Sequence, residues 1–199
     1  MTELPAAAWW LIAALVGYAL GAVNPAAIIA KLTHVDLRSA GSGNPGATNV
    51  GRVLGPGWGV FVGVLDVAKG FIPAYAFGML VGQTAGEVAG LAAVVGHITS
   101  PFLRGRGGKG VATSLGAILG VQPLLAIPVL IAFGIGVAVW HRVGLGAVLG
   151  AVALAVSGVV GAAIGWTDQA DAWFAIVLAV LVLARHQRNI TEAWRRFRT

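Results

Sequence analysis

Cysteine is absent from the 199 residues of this chain, and charged side chains make up only 10% of it. Without cysteine the protein can form no disulfide, no thiolate nucleophile and no Cys-bound zinc or iron–sulfur centre. An ordinary soluble domain carries about 25% charged residues. Here 58% of residues are hydrophobic and the mean hydropathy is +0.87. These values exclude an ordinary soluble domain and indicate a protein embedded in a bilayer.

The long apolar runs predict membrane-spanning helices. A spanning helix needs about 20 mostly apolar residues, and no Lys or Arg precedes the first run, so we expect a retained span and not a cleaved signal peptide. We predict an all-α membrane helix bundle in one domain, residues 1–199, with about seven transmembrane helices. The predicted spans are 6–30, 53–82, 87–95, 111–120, 124–140, 145–165 and 173–184.

Two of these spans contain candidate breaks. Asn24 and Pro25 lie near the end of the first span, where a proline is tolerated if neighbours satisfy the freed backbone groups. Segment 53–82 is long for one helix. It is either one tilted span or a re-entrant piece followed by a span, with possible breaks at 55–57, Gly70 and Pro73.

The distribution of charge predicts the orientation. With the N-terminus outside, the inner segments hold every Lys and Arg of the chain except Lys69. The outer segments hold only acidic charges, namely Glu3, Glu87, Asp168 and Asp171. This pattern follows the positive-inside rule and predicts a cytoplasmic C-terminus. We expect the terminal residues around Trp194 and Phe197 to form an amphipathic interfacial end.

The first polar loop, residues 41–52, reads G-S-G-N-P-G-A-T-N-V-G-R. Closely spaced glycines let backbone N–H groups converge on an anion, and Arg52 adds a charge-assisted donor fork. We interpret the loop as a phosphate site; a turn-rich loop without a ligand is the alternative. Its G-x-G-x-x-G spacing does not indicate a dinucleotide site, because that motif has meaning only after a strand.

The second polar loop, residues 97–113, is basic and glycine-rich but is not a Walker A motif, because Gly110 follows Lys109. Gly107, Gly108 and Lys109 open an apolar segment, which places a cation at a helix N-terminus where phosphate binds well. Lys109 could instead extend to lipid headgroups, and His97 could be an ordinary interfacial histidine.

Two further sets of polar residues follow from spacing. His186 and Asn189, in the segment R-H-Q-R-N-I at 185–190, would share a face if they lay on one helix. That face could bind a polar substrate or be a charged helix end. Asp66 and Lys69 lie inside an apolar stretch, where ionisable groups face a cavity or each other, and we interpret them as a mutual pair.

Together, the three motifs at 41–52, 96–113 and 185–190 resemble those of the bacterial acyl-phosphate:glycerol-3-phosphate acyltransferases. These are small integral membrane enzymes that transfer an acyl group from acyl phosphate to glycerol 3-phosphate. The second motif departs from the family pattern at Ser100, where proline is usual. The loop 141–147 lacks the serines that the family tends to have and contains Gly144 and Ala147 instead.

The resemblance implies the following site, with no cofactor and no metal. The hypothesis assigns catalytic roles to Lys109, His186, Asn189 and Arg52. It assigns substrate binding to Ser42, Gly43, Asn44, Gly46, Thr48, Asn49, His97, Gly107 and Gly108. The base that accepts the hydroxyl proton is either His186 or a substrate phosphate.

The expected partners are acyl phosphate, glycerol 3-phosphate and membrane lipid, with no nucleic acid and no obligate protein partner. A transporter for a small phosphorylated anion is the main alternative, although the chain offers few polar residues near the midplane. A nucleic-acid-binding protein would collect its basic residues on one soluble face, whereas here they are divided among short loops.

Overall fold

The computed structural model describes residues 4–196, apart from the side chains of Ala193 and Arg196. Glu3, Phe197 and Arg198, which entered the predictions of orientation and of the interfacial end, lie outside the described residues. Within that range the chain is helical and contains no strand, which confirms the all-α class. The helices are α1 Ala6–Ala22, α2 Pro25–Leu32, α3 Ala47–Leu54, α4 Pro56–Leu80, α5 Gln83–Thr99, α6 Val111–Val121, α7 Ala126–Trp140, α8 Val143–Ala163, α9 Gln169–Arg185 and α10 Gln187–Arg196, with 3-10 turns at Pro101–Leu103 and Pro123–Leu125.

Five helical segments of the described chain are long and apolar enough to cross a membrane. They are Ala6–Leu32, Pro56–Leu80, Gln83–Leu103, Pro123–Trp140 and Val143–Ala163. Helix α6 is apolar but has only 11 residues, and α9 has 17. The prediction of a membrane helix bundle is therefore supported by five spans, while the number of seven and the orientation of the termini stay predictions.

The segment 53–82 contains one long helix. It follows the short helix α3, and the two are separated at Gly55, whose φ of 101° lies in the region that only glycine adopts readily. Pro56 then begins α4 at the position where a missing N–H costs least. Gly70 and Pro73 lie within α4 and do not end it, so the single-span alternative is the observed one.

The chain divides into two compact units, residues 1–121 and 122–199. In the first unit α1 packs against α5 and α4, and α4 also packs against α3, α5 and α6. In the second unit α8 packs against α7 and α9, and α10 contacts both α8 and α9. The assignment of residues 1–199 to one domain stays a prediction.

Small residues bring α1 and α5 into close contact. A Cβ atom at Gly17 would overlap the carbonyl group of Ala89, and one at Gly21 would overlap that of Ala93. In lipid, burial of apolar surface gives little driving force for helix association, so close backbone packing has to supply it. These two glycines therefore fix how near α5 lies to α1.

The first apolar segment breaks between α1 and α2, and side chains satisfy the carbonyls that the break leaves. Asn24 caps α2 by accepting a hydrogen bond from the Ala27 N–H at 2.8 Å. Ser100 Oγ donates to the carbonyl of Ala22 at 2.6 Å, and Lys69 Nζ donates to that of Val23 at 2.7 Å. The expectation that neighbours satisfy the backbone around Pro25 is confirmed.

Replacing Gly21 with leucine should separate α1 from α5. Because the new side chain meets the backbone of Ala93, the strain should cost about 1–3 kcal/mol or more. We expect a clear fall in the unfolding midpoint of the detergent-solubilised protein. Gly134→Leu is the matched control, since a Cβ at Gly134, in α7, would meet no atom within 4 Å. Equal midpoints for the two variants would contradict this account of the interface.

Candidate active site

The first polar loop begins with a tight turn after α2 and continues into α3. Gly41 and Gly43 have φ angles of 61° and 68°, and the N–H of Gly43 donates to the carbonyl of Ala40 at 3.1 Å. Gly46 caps α3, and its N–H donates to the carbonyl of Asn44 at 3.0 Å. The glycine spacing that predicted a compact loop therefore corresponds to positive-φ backbone at its first two glycines.

Asn49 closes this loop from inside. Its side chain is 1% exposed, and Oδ1 accepts a hydrogen bond from the Ser42 N–H at 2.7 Å. Its Nδ2 donates to the carbonyls of Ala40 at 3.0 Å and Leu37 at 3.3 Å. The role of Asn49 as a direct phosphate ligand stays a prediction. The structure shows that its amide binds the backbone of the loop.

The exposed side of the loop carries the other predicted donors. Ser42 and Thr48 are exposed, and so is Arg52 in the last turn of α3. The first N–H groups of a helix have no partner within the helix, so the start of α3 adds backbone donors next to Thr48. Hydroxyl groups, N–H groups and a guanidinium group on one short segment are suited to bind an anion.

Two contacts attach the first polar loop and the residues just before it to other parts of the first unit. Asn24 Nδ2 donates to the carbonyl of Pro45 at 3.2 Å, which attaches the loop to the break between α1 and α2. Nearer α2, the guanidinium group of Arg38 donates to the carbonyl of Arg106 in the second polar loop. The N–H of Arg38 donates to Asp36 Oδ1 at 2.8 Å, and this bond, followed by the Ser39 hydroxyl, lowers the pKa of Asp36.

The second polar loop folds back onto the end of α5. The N–H of Gly107 donates to the carbonyl of Ile98 at 2.9 Å, and that of Gly108 donates to the carbonyl of His97 at 3.1 Å. A Cβ at Gly107 would overlap the His97 carbonyl oxygen, and a Cβ at Gly108 would overlap Nε2 of the imidazole. Both positions therefore require glycine, and Lys109 follows directly after them.

A buried cluster of ionisable side chains contacts that loop. Asp66 and Lys69 are 3% and 8% exposed, and Lys69 Nζ lies 3.0 Å from Asp66 Oδ1, which confirms the predicted mutual pair. His97 is 3% exposed, and its Nδ1 lies 3.4 Å from the same carboxylate oxygen. No local sequence pattern relates His97 to Asp66, because the two residues are distant in the chain.

Helix α6 begins directly after the second polar loop. Gly110 has a φ of 84°, and its carbonyl accepts the N–H of Ser114 at 2.7 Å. Lys109, which is half-buried, therefore precedes a helix N-terminus as predicted. In the first turn of α6, the buried hydroxyls of Thr113 and Ser114 have no hydrogen-bond partner within the described residues. These hydroxyls are additional polar groups that the predicted set of site residues did not include.

The third motif lies in the second unit, and a helix boundary falls within it. Helix α9 ends at Arg185 and α10 begins at Gln187, so His186 and Asn189 do not share a face of one helix. His186 is 2% exposed, and its Nδ1 lies 2.8 Å from the carbonyl of Val182. Because a carbonyl only accepts, Nδ1 is the donor, and a neutral ring then has its lone pair on Nε2.

Asn189 packs against the loop that departs from the family pattern. A Cβ at Gly144 would overlap the Nδ2 of Asn189. Glycine at 144 therefore leaves space that the Asn189 amide group occupies. The sequence alone could not show that Asn189 lies against this glycine.

Apolar helices that can cross a bilayer, together with two basic glycine-rich loops supported by a buried charge cluster, define the chain as an integral membrane protein with a candidate anion site. Comparisons with known proteins identify the family. A model of the glycerol-3-phosphate acyltransferase family matches residues 11–196. The chain belongs to the glycerol-3-phosphate acyltransferase family.

Individual relatives agree with this assignment. The glycerol-3-phosphate acyltransferase of Thermoanaerobacter pseudethanolicus is 40% identical over 90% of this chain and 89% of its own length. That of Aquifex aeolicus is 38% identical over 88% of this chain and 90% of its own. A crystal structure of PlsY (YgiH), an integral membrane glycerol 3-phosphate acyltransferase in its glycerol 3-phosphate form, matches with a TM-score of 0.84 and 36% identity, covering 94% of this chain and 92% of that one.

Replacing Asn49 with alanine should loosen the first polar loop. The change removes three hydrogen bonds and leaves buried backbone groups without partners, so we expect a loss of about 1–3 kcal/mol in unfolding free energy. Thermal unfolding in detergent measures it. Thr48→Ala, at the exposed position directly before Asn49 in α3, should leave the unfolding midpoint unchanged. An unchanged midpoint for Asn49→Ala would show that the side chain does not hold the loop.

Proposed function

We propose that this chain transfers a fatty acyl group from acyl phosphate to the sn-1 hydroxyl of glycerol 3-phosphate. The products are 1-acyl-glycerol 3-phosphate (lysophosphatidate) and phosphate, in the first step of phospholipid synthesis. Family membership supports the acyl transfer and the acceptor. One observation supports the acyl phosphate donor. Two glycine-rich loops are attached to the same break in the first apolar segment, and an apolar groove lies beside that break.

The two loops suit two phosphate groups. We assign the donor phosphate to the first polar loop, with Ser42 and Thr48 as exposed ligands. Arg52 and Lys109 offset the charge of both phosphates, and Gly107 and Gly108 let the backbone approach closely. His186 and Asn189 position glycerol 3-phosphate. Fixed donors of this kind act by orientation and by stabilising charge that develops as the phosphate leaves.

The groove suits the acyl chain. It has a volume of about 620 Å³ and lies between the α1–α2 segment and α4. Its lining is almost wholly apolar and includes Leu20, Ile28, Phe61, Leu65 and Ala68. An acyl chain that moves from lipid into this groove gains little hydrophobic free energy, because lipid is equally apolar. The groove therefore orients the chain and selects its shape, while the polar loops provide the affinity.

The reaction forms one C–O bond and breaks another. The sn-1 oxygen attacks the acyl carbon, the C–O bond to phosphate breaks, and phosphate leaves with the bonding electron pair. The proton of the hydroxyl passes either to Nε2 of His186, which has its lone pair in the tautomer described above, or to a substrate phosphate. Neither route requires a cofactor or a metal, and the predicted absence of both stays a prediction.

We place the protein in the bacterial inner membrane with its site on the cytoplasmic side. This location rests on the positive-inside distribution of charge and on the basic residues of both polar loops. Both phosphorylated substrates would then reach the loops from the cytoplasm. The prediction that the protein needs no obligate partner and binds no nucleic acid belongs to the same proposal.

A donor comparison tests the proposed reaction. Purified protein in detergent or lipid should make lysophosphatidate and release phosphate from palmitoyl phosphate and glycerol 3-phosphate. It should make no product from palmitoyl-CoA, because the site is built for a phosphate leaving group. Product only from the thioester would keep the acyltransferase class and contradict the donor. No product from either donor, with folded protein, would favour the transporter.

The same assay has a matched pair of lysine variants. Lys109→Gln should lower turnover of palmitoyl phosphate roughly a hundredfold or more, because a fixed charge at the reacting centre is lost. Lys31→Gln, in the last turn of α2 and exposed, should retain normal turnover. Similar losses in both variants would mean that the charge of Lys109 acts only through general attraction.

Filling the groove should change donor selectivity. Ala68→Phe places a large side chain in the groove wall, so we expect the KM for palmitoyl phosphate to rise while the KM for glycerol 3-phosphate stays constant. Donors with shorter chains should be affected less. Val64→Phe is the control, since Val64 is exposed on α4 but does not line the groove. Identical donor profiles for the two variants would show that the acyl chain binds elsewhere.

A further inference from the structure

The geometry points to Asp66 as a positioning residue. Acting through His97, it holds Gly107, Gly108 and Lys109 in the arrangement that binds substrate phosphate. The kinetic part of this inference rests on the proposed function. Its structural part concerns only the order of the second polar loop.

The first step is the orientation of the His97 ring. Asp66 Oδ1 lies 3.4 Å from Nδ1 of His97, and both side chains are almost fully buried. These two atoms do not meet in a hydrogen bond, so the carboxylate acts on the ring through its charge, which favours a proton on the nitrogen that faces it, Nδ1. Asp66 thus sets which edge of the ring is turned toward Gly108.

The second step is the contact between the ring and the loop. Nε2 of His97 occupies the position that a Cβ at Gly108 would take, so the imidazole lies directly against that residue. The His97 carbonyl accepts the N–H of Gly108 at 3.1 Å, and the next carbonyl, of Ile98, accepts that of Gly107 at 2.9 Å. One residue therefore contacts the loop through both its ring and its backbone, immediately before Lys109.

The third step is the support of Asp66 itself. Lys69 Nζ contacts Asp66 Oδ1 at 3.0 Å and donates to the carbonyl of Val23 at 2.7 Å. Val23 precedes Asn24, whose amide holds Pro45 of the first polar loop at 3.2 Å. A continuous set of polar contacts thus runs from the first loop to the second. Substitution of Asp66 should therefore reduce the order of the second polar loop, although it removes no proposed substrate ligand.

The test uses a charge-neutral pair of substitutions. Asp66→Asn alone leaves Lys69 buried beside a neutral partner and can fail to fold, so Asp66→Asn is combined with Lys69→Gln, which keeps a donor for Val23. His97→Gln is the second variant, because glutamine can place a nitrogen near the position of Nε2 without the contact to Asp66. The third carries all three changes. Leu154→Ala, in the core of the second unit, controls for a general loss of stability.

Two measurements are made on each full-length protein. Amide hydrogen exchange reports on the segment 105–110. We expect the exchange of Gly107 and Gly108 to rise at least about tenfold in the first two variants, since the segment that carries their carbonyl partners is then held less firmly. The kcat/KM for glycerol 3-phosphate should fall roughly tenfold or more, as misplacement of a binding group predicts. The triple variant should show no larger change in loop exchange or in kcat/KM than the more strongly affected of the first two variants.

Each outcome decides the inference. Unchanged exchange at 105–110 in the pair variant would overturn it whatever the activity. Additive losses in the triple variant would also overturn it, because Asp66 would then act independently of His97. If Leu154→Ala raised loop exchange as much as the pair variant does, the cause would be general instability, and the inference would be overturned as well. If the unaltered protein lacks transferase activity but loop exchange responds as expected, the proposed function fails and the positioning role stands.

Discussion

The ammonium group of Lys69 is the contact on which the arrangement of the candidate site depends. A charged side chain and an open backbone carbonyl are each costly in an apolar environment. Here Lys69 satisfies the carbonyl of Val23 at 2.7 Å and neutralises Asp66 at 3.0 Å. The apolar segment Ala6–Leu32 can therefore break at Asn24. That break provides the attachment point for the first polar loop, and Asp66 leads through His97 to the second.

Close backbone packing complements these polar contacts. Gly17 and Gly21 let α1 approach α5, and Gly107 and Gly108 let the second polar loop lie against His97. In each case the missing side chain allows close packing. Between helices in a bilayer, such packing stabilises the contact where burial of apolar surface cannot. In the function proposed above, the groove orients an acyl chain but gains little free energy from burying it. On that proposal, the polar loops provide the affinity for substrate and the groove provides the selectivity for the acyl chain.

The sequence predicted features that depend on local pattern. Apolar runs predicted the all-α membrane class, and spacing predicted the Asp66–Lys69 pair. The features that it could not predict depend on contacts between distant segments. The contacts of the Asn49 amide with the carbonyls of Ala40 and Leu37 are of this kind, and no local pattern indicated them. Whether His186 and Asn189 lie on one helix was left open by the sequence; the helix ends at Arg185, and no glycine or proline marks that end.

The central claim is that the two polar loops of residues 1–121 bind the substrate phosphates together. A crystal or cryo-electron microscopy structure with glycerol 3-phosphate and a non-transferable acyl phosphate analogue tests it most directly. The account predicts one phosphate at the first polar loop near Ser42 and Arg52, a second within reach of Lys109, and the acyl chain in the groove beside Ala68. Phosphates bound away from both loops, with Lys109 and Arg52 contacting neither, would contradict it.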